Sequence, residues 1–330
     1  MLTKENISLL QTSKNLLAFS AGVDSSALFF LLIEHKIQFD IALVNYALRE
    51  QSAEEEAYAL ELAKAYGLKA YTTKAPHFEN NFEKNARDFR YAFFDELMEK
   101  HAYDNLLTAH QLNDQLEWFL MRLTKGAGTV ELLGLEGVSE RKNYRLVRPL
   151  LRHSKDELLH YLEMHKHKYF LDESNHSDKY ERNQFRAKFS NELIEAYAEG
   201  IKRSFDYLEE DKKVLSAGYE VLYHEKELYV FAYERKELIV RVVDKYLKKL
   251  GYLLSGQQRK ELKKENSLVF GGLWAVEIGD KQIYIAPYRT VTMPKKFKEA
   301  CRKFNIPIKV RAYLYENEIA LIKLLSSFSH

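Results

Sequence analysis

Residues 15–19 (NLLAF) form a short apolar run that ends in Ser20–Ser26 (SAGVDSS), and Ala27–Ile33 then runs apolar without a break. No other feature of the chain constrains its fold as tightly. A strand-length apolar run, a turn of small residues and a helix apolar all round fit a buried β-loop-α unit, because a surface helix would show a polar face. The pattern then repeats. Phe39–Val44 reads as a second strand, Glu54–Tyr66 as a charged helix closed by Gly67, and Leu68–Thr72 as a third strand. Phe82–Lys100 reads as a helix and Asn105–Ala109 as a fourth strand. Strands alternating with helices predict an α/β fold with a doubly wound parallel sheet. Ligands of such sheets bind beyond the carboxyl ends of the strands. Ser20 and His110 each directly follow a strand, so they should share that edge.

The alternation stops near residue 150. Ser154–His167, Asn183–Tyr197, Ile201–Tyr219 and Leu238–Leu250 read as helices, Leu268–Val276 and Lys281–Ala286 as strands. A basic helix, Lys295–Phe304, precedes Ile306–Pro307 and a strand-like tail. The 330 residues are enough for two domains. The expected division is a catalytic α/β domain over 1–200 and a smaller α+β region over 201–330. That region should begin with a linker helix at about 201–219 and end in a basic module at about 287–330.

Charge is balanced over the whole chain, 50 basic against 48 acidic residues, so only its distribution can mark a polyanion partner. Residues 294–311 carry Lys295, Lys296, Lys298, Arg302, Lys303, Lys309 and Arg311 against the single acid Glu299. That strip fits nucleic-acid contact or a solvated helix. The lone Cys301 excludes an intrachain disulfide and a cysteine-based metal site. No apolar run is long enough to span a membrane, and the first residues lack the pattern of a signal peptide. The expectation is a cytoplasmic protein with no membrane partner. His153, His160, His165 and His167 have no tight ligand spacing and stand among lysines, which argues for a surface helix over a metal site.

In Ser20–Ser26 the small Ser20, Ala21 and Gly22 let backbone N–H groups approach an anion, and the following helix N-terminus adds partial positive charge. The hydroxyls of Ser20, Ser25 and Ser26 are further donors. Asp24 suits an anion site only if a cation such as Mg²⁺ lies between it and phosphate. As a bare string the segment reads equally as a helix cap. Further on, Leu116, Phe119, Leu120 and Leu123 recur at helical spacing and should form a buried stripe, with Asp114 at the helix start and His110 just before it. Either residue alone would pass as a cap or a structural histidine.

The loop resembles the S-G-G-x-D-S loop of the PP-loop ATP pyrophosphatases, with Ser20, Gly22, Val23, Asp24 and Ser25 in place and Ala21 for the first glycine. Ala109–Gly128 is similar to the A-H-H-x-D-D-Q-x-E-T…R-G-x-G stretch of tRNA(Ile)-lysidine synthetases. Asn85–Tyr91 resembles their A-R-x-x-R-Y helix, Arg148–Leu151 their R-P-L-L, and Leu171–Arg186 their D-x-S-N…R-N-x-x-R. Leu48–Arg49 matches the end of their H-G-L-R segment, and Pro294–Leu324 more loosely resembles the terminal domain of longer members. Gln111, Asn113 and Trp118 depart from the second His, first Asp and Thr of the pattern, and Asn45–Tyr46–Ala47 replaces a His-rich turn with Gly.

The resemblance implies a ligase that uses ATP and Mg²⁺ to join L-lysine to the wobble cytidine of a CAU-anticodon tRNA(Ile), through adenylation of the base. It implies ATP binding by Ser20–Ser25, Mg²⁺ binding by Asp24 and Asp114, and catalysis by His110, Asp114 and Arg87, with Arg90 near Arg87. Contacts to tRNA fall to Arg182, Arg186, Lys295, Lys296, Arg302 and Lys303. By residue type alone, Arg182 and Arg186 would pair equally well with Asp172, Glu173 or Asp178. The alternatives are a PP-loop tRNA thiolase, disfavoured by the single cysteine, and a non-catalytic tRNA- or nucleotide-binding relative; an amidotransferase-type ligase ranks third. Oligomeric state is open, a homodimer being one option.

Overall fold

The computed structural model describes residues 1–47, 51–171 and 181–326. It divides into two compact units, residues 1–209 and the chain from 210 on.

The first unit runs α1 (Lys4–Gln11), β1 (Asn15–Ala18), α2 (Val23–Glu34), β2 (Phe39–Asn45), α3 (Gln51–Tyr66), β3 (Ala70–Lys74), α4 (Phe82–His101) and β4 (Asn105–Leu107). It continues through α5 (Leu112–Leu123), α6 (Thr129–Leu132), β5 (Val138–Glu140), β6 (Arg145–Val147), α7 (Lys155–Met164) and α8 (Glu181–Phe185) into α9 (Asn191–Ser216), whose last residues, from 210, fall in the second unit. The sheet order is β3-β2-β1-β4-β6-β5, and every pair is parallel except the edge pair β5–β6. This is the doubly wound sheet the alternation predicts. Strand order reverses between β1 and β4, so the loops after these two strands flank the switch point where such sheets bind ligands.

Alternation along β1 sends its side chains to opposite cores. Leu17 packs with Leu28, Leu31 and Tyr58 of α2 and α3 and with Leu158 and Leu162 of α7; Leu16 packs with Phe94, Leu97 and Met98 of α4. Ala27–Leu32 is buried throughout, as its continuous apolar run requires. The α5 stripe differs from expectation. Leu112 and Leu116 are buried and Phe119 and Leu120 partly so, but Leu123 is exposed at the helix end.

The two helices expected over 183–219 are one helical run. A π-helical turn at Arg186–Ser190 joins α8 to α9, and the expected break is a kink at Tyr197 (φ −138°, ψ 23°). Gly218, at φ +91°, stands just past the helix end, where a left-handed residue terminates it without steric cost.

The second unit holds β7 (Tyr219–Glu225), β8 (Leu228–Tyr233), α10 (Ile239–Lys249), α11 (Gly256–Glu261), β9 (Ser267–Phe270), β10 (Trp274–Ile278), β11 (Gln282–Pro287), α12 (Lys295–Lys303), α13 (Ile308–Glu316) and α14 (Leu321–Ser326). Its antiparallel sheet has the order β7-β8-β11-β10-β9. Tyr229 and Phe231 face the α10 core, Leu228 and Val230 the core of α12 and α13. Two sequence expectations fail here. Leu268–Val276 is a hairpin, not one strand, because Gly271 (φ +57°) and Gly272 (φ +67°) supply the positive φ its turn needs. The strand-like tail is helical, since Val310, Tyr313 and Leu314 recur at helical spacing and pack on the sheet.

Candidate active site

The turn after β1 settles the rival reading of Ser20–Ser26 as a helix cap. Gly22 is the N-cap of α2, and among the described residues no side chain caps the helix. The serines instead tie the loop to itself: Ser25 Oγ accepts from the Ser20 amide (3.2 Å), lies 3.1 Å from Ser20 Oγ and donates to the Gly22 carbonyl (3.1 Å). An uncapped N-terminus keeps its positive end for an anion. Ala21 has φ +58°, so the position takes a left-handed conformation that glycine adopts freely and alanine adopts at a cost of about 1–2 kcal/mol. The Phe170 amide donates to the Ala21 carbonyl (2.9 Å) and holds the turn.

Ser20, Gly22–Ser25, His110 and Asp114 line one cavity of about 530 Å³, within the range for a small-molecule site. The expected shared edge is therefore present. A second cavity of about 410 Å³ adjoins it and shares Ser20, Gly22, Val44, Tyr46, Arg90, Phe170 and Arg182. Arg90 borders both cavities, whereas Arg87 borders only the second and lies over the Tyr91 ring at 5.3 Å.

Asp24 Oδ1 is buried and, among the described residues, has no hydrogen-bond partner. Burial first, and the Asp114 charge second, push its carboxyl up to about 7. An orphaned, destabilised carboxylate beside an uncapped helix N-terminus fits a Mg²⁺ shared with phosphate. Asp114 fits that role less well, because its oxygens are already engaged. Oδ2 accepts from the Gln111 amide (3.0 Å) in a capping box, and Oδ1 accepts from both Arg182 and Arg186 (2.8 Å each). Burial raises the Asp114 carboxyl, but Arg182, His110 and Arg186 outweigh it and hold the group below its ordinary value. Among the described residues no cluster of three or more His, Cys, Asp or Glu forms a metal site, so phosphate oxygens would have to complete the Mg²⁺ shell.

Arg182 and Arg186 were expected on the tRNA backbone. In the structure both turn inward to Asp114 and Glu117, and Arg186 Nε donates to Glu117 Oε2 at 3.0 Å. The π-helical turn after α8 packs against α5, and Arg186 begins it. The Glu117 side chain is only 2% exposed; burial raises its carboxyl despite the two arginines. Sequence reasoning left Glu117 without a partner, since its arginines lie 65 and 69 residues away. The acids it offered instead, Asp172, Glu173 and Asp178, lie outside the described residues, as does Leu48–Arg49.

His110 Nδ1 is 2.9 Å from Thr108 Oγ1. Burial, against the opposing pull of Asp114, lowers the imidazole to about 4, so the ring is neutral at pH 7 and keeps a basic nitrogen. Lys155, the first residue of α7, also lines the larger cavity, and no sequence motif singles it out. The basic strip of the second unit is formed. Lys295, Lys296, Lys298, Arg302 and Lys303 are solvent-exposed on α12 and its end, but Arg311 is spent on the Ile306 carbonyl (2.6 and 2.8 Å) and Lys309 Nζ on that of Ser267 (2.8 Å).

A doubly wound sheet with an anion-ready loop at its switch point, and an orphaned carboxylate in that loop, defines a nucleotide-binding protein of the PP-loop class. The PP-loop domain profile matches residues 2–193. A tRNA(Ile)-lysidine synthase of Campylobacter jejuni (strain RM1221) is 46% identical over 97% of this chain and 98% of its own. Those of Wolinella succinogenes and Helicobacter pylori (strain 26695) are 42% and 41% identical, covering 93% and 94% of this chain and 94% and 92% of theirs. The chain belongs to the tRNA(Ile)-lysidine synthase family. Among solved structures, the U34-tRNA thiolase NcsA from Methanococcus maripaludis superposes with a TM-score of 0.51 at 19% identity, covering 64% of this chain and 76% of that one. That likeness is one of fold.

Proposed function

We propose that this protein ligates L-lysine to the wobble cytidine of a CAU-anticodon tRNA(Ile), cleaving ATP to AMP and pyrophosphate. Near-full-length membership of the lysidine synthase family carries the reading. The gathering of Ser20, Gly22–Ser25 and His110 around one cavity supplies the chemistry. The thiolase alternative needs reactive cysteines, and Cys301 is buried in the second unit.

Ser20, Ala21, Gly22, Val23 and Ser25 present the phosphate cradle, and the α2 N-terminus favours the anion. Asp24 would hold Mg²⁺ against the phosphates, where the ion neutralises charge on the triphosphate. In the first step the base carbonyl oxygen attacks the α-phosphorus and pyrophosphate departs with the bridging oxygen. Arg90, at the border of both cavities, and Arg87 beside it are placed to balance charge on the α-phosphate. In the second step the lysine amine attacks the activated ring carbon, the carbon–oxygen bond breaks and AMP leaves. His110, neutral because it is buried, takes the amine proton. Arg182 and Arg186 hold Asp114 and Glu117 in place, and the exposed strip Lys295, Lys296, Arg302 and Lys303 contacts the tRNA backbone.

The test is incubation with labelled lysine, ATP, Mg²⁺ and a CAU-anticodon tRNA(Ile) transcript, followed by digestion to nucleosides. A labelled nucleoside is expected. Retained tRNA binding with no labelled product would instead identify a non-catalytic relative.

A further inference from the structure

Three helices begin at the larger cavity, α2, α5 and α7, since Val23, Gln111, Asn113 and Lys155 all line it. Their positive ends make the cavity attractive to polyanions. They are not equivalent. The backbone donors that open α5 and α7 are largely taken by the chain itself: Gln111 Oε1 accepts from the Asn113 amide, Ser154 Oγ from that of Glu157, and Asn113 Oδ1 from that of Lys155. Among the described residues, α2 alone of the three is uncapped, so the phosphates belong at its start.

The cations around the cavity are Arg90, Lys155, Arg182 and Arg186. Arg182 and Arg186 are bound to Asp114 and Glu117 and have little charge to offer a ligand. The Lys155 ammonium, among the described residues, has no carboxylate or carbonyl partner, and the side chain is exposed to the cavity solvent. Its charge acts on Asp24, opposing the effect of burial on that carboxyl. Asp24 in turn has its Oδ1 buried without a partner in the same cavity. Among the described residues, an unpaired cation and an orphaned carboxylate thus line the cavity at which α2 starts. Packing of α7 against α2 through Leu158 and Leu162 fixes the first of these in place.

We propose that Lys155 is a catalytic residue of the first half-reaction, its ammonium binding the pyrophosphate that leaves ATP. The inference rests on the ATP-cleaving reading above. As the bond between the α-phosphorus and the bridging oxygen breaks, the electron pair passes to the departing pyrophosphate, and the ammonium stabilises that charge without giving up a proton. A lysine suits the task because its point charge and rotatable donors adapt to a moving phosphate. Unlike Arg90, Lys155 does not border the second cavity, so its effect should fall on pyrophosphate and spare the nucleoside half of the substrate.

The test measures binding of inorganic pyrophosphate, and separately of AMP, to the full chain with Mg²⁺ by calorimetry. Lys155→Met should weaken pyrophosphate roughly tenfold or more, the value of a missing charge-assisted hydrogen bond, and change AMP by less than about twofold. Lys155→Arg should recover most of the affinity. In turnover, Lys155→Met should slow pyrophosphate release by about 10²-fold with little change in KM for ATP. Unchanged pyrophosphate affinity in Lys155→Met, equal weakening of AMP, or a wild-type chain that binds no pyrophosphate would each overturn the assignment. Binding that depends on Lys155 in a chain that forms no lysidine would refute the proposed reaction instead.

Discussion

Replacing Asp24 with Asn should stabilise the metal-free first unit while destroying activity, and the gain should depend on pH. The carboxyl stands at about 7 in the folded chain because it is buried and faces Asp114, against 3.8 for an ordinary Asp. Keeping it ionised in the folded state therefore costs about 4 kcal/mol. The folded value exceeds the unfolded one, so the contribution of the protonated group is fully present below 3.8 and is lost as pH climbs through about 7. Asn has the same shape and no titration. The advantage of Asp24→Asn should be near zero at about pH 4, grow by about 1.4 kcal/mol per pH unit and level off above about pH 7. One kcal/mol corresponds to about 2–4 °C in Tm for a unit of this size. The assay is thermal unfolding of both chains across this range with a chelator present. In chelator-free buffer, Mg²⁺ and pyrophosphate should raise the Tm of wild type more than that of Asp24→Asn. A Tm difference that stays constant between acidic and alkaline pH would refute the reasoning.

Three further outcomes are expected. Arg182→Met combined with Arg186→Met leaves Asp114 and Glu117, whose side chains are 10% and 2% exposed, without counter-charge. The pair of substitutions should cost about 3–5 kcal/mol in denaturant unfolding, and either one alone much less, because each acid keeps the other arginine. His110→Ala should slow lysine transfer by about 10²–10⁴-fold in single-turnover assays and leave pyrophosphate release nearly unchanged; equal slowing of both steps would remove the base role. Converting Lys295, Lys296, Arg302 and Lys303 to Glu should weaken tRNA binding and flatten its salt dependence by about 0.9 in log–log slope for each phosphate no longer neutralised, with ATP affinity unaffected.

The α/β alternation was legible because each element carries its own period. Leu16 and Leu17 read as a strand, Ala27–Leu32 as a buried helix, and Gly67, at φ +68°, as a helix end. The motifs around Ser20, His110 and Arg148 were legible because each is a contiguous run. The tail was misread since Ile306–Pro307 breaks the chain and hides the helical spacing of Val310, Tyr313 and Leu314 until the sheet beneath them is known. The contacts of Arg182 and Arg186 with Asp114 and Glu117 were not legible for a different reason. Local sequence offered acids nearby, whereas α8 carries Arg182, and the π-helical turn Arg186, to α5.

By itself, then, the sequence determined the α/β alternation and the turn of small residues between β1 and α2, because backbone conformation and alternation are local properties; strand order, and with it the switch point, came from the tertiary structure. Tertiary structure alone decided the charge state of the site. Among the described residues, burial leaves Asp24 orphaned and His110 neutral, distant arginines quench Asp114 and Glu117, and α7 delivers Lys155 uncommitted to the cavity. Those outcomes depend on which groups are desolvated together. Spacing along a chain does not carry that information, and packing of helices on both faces of the sheet does.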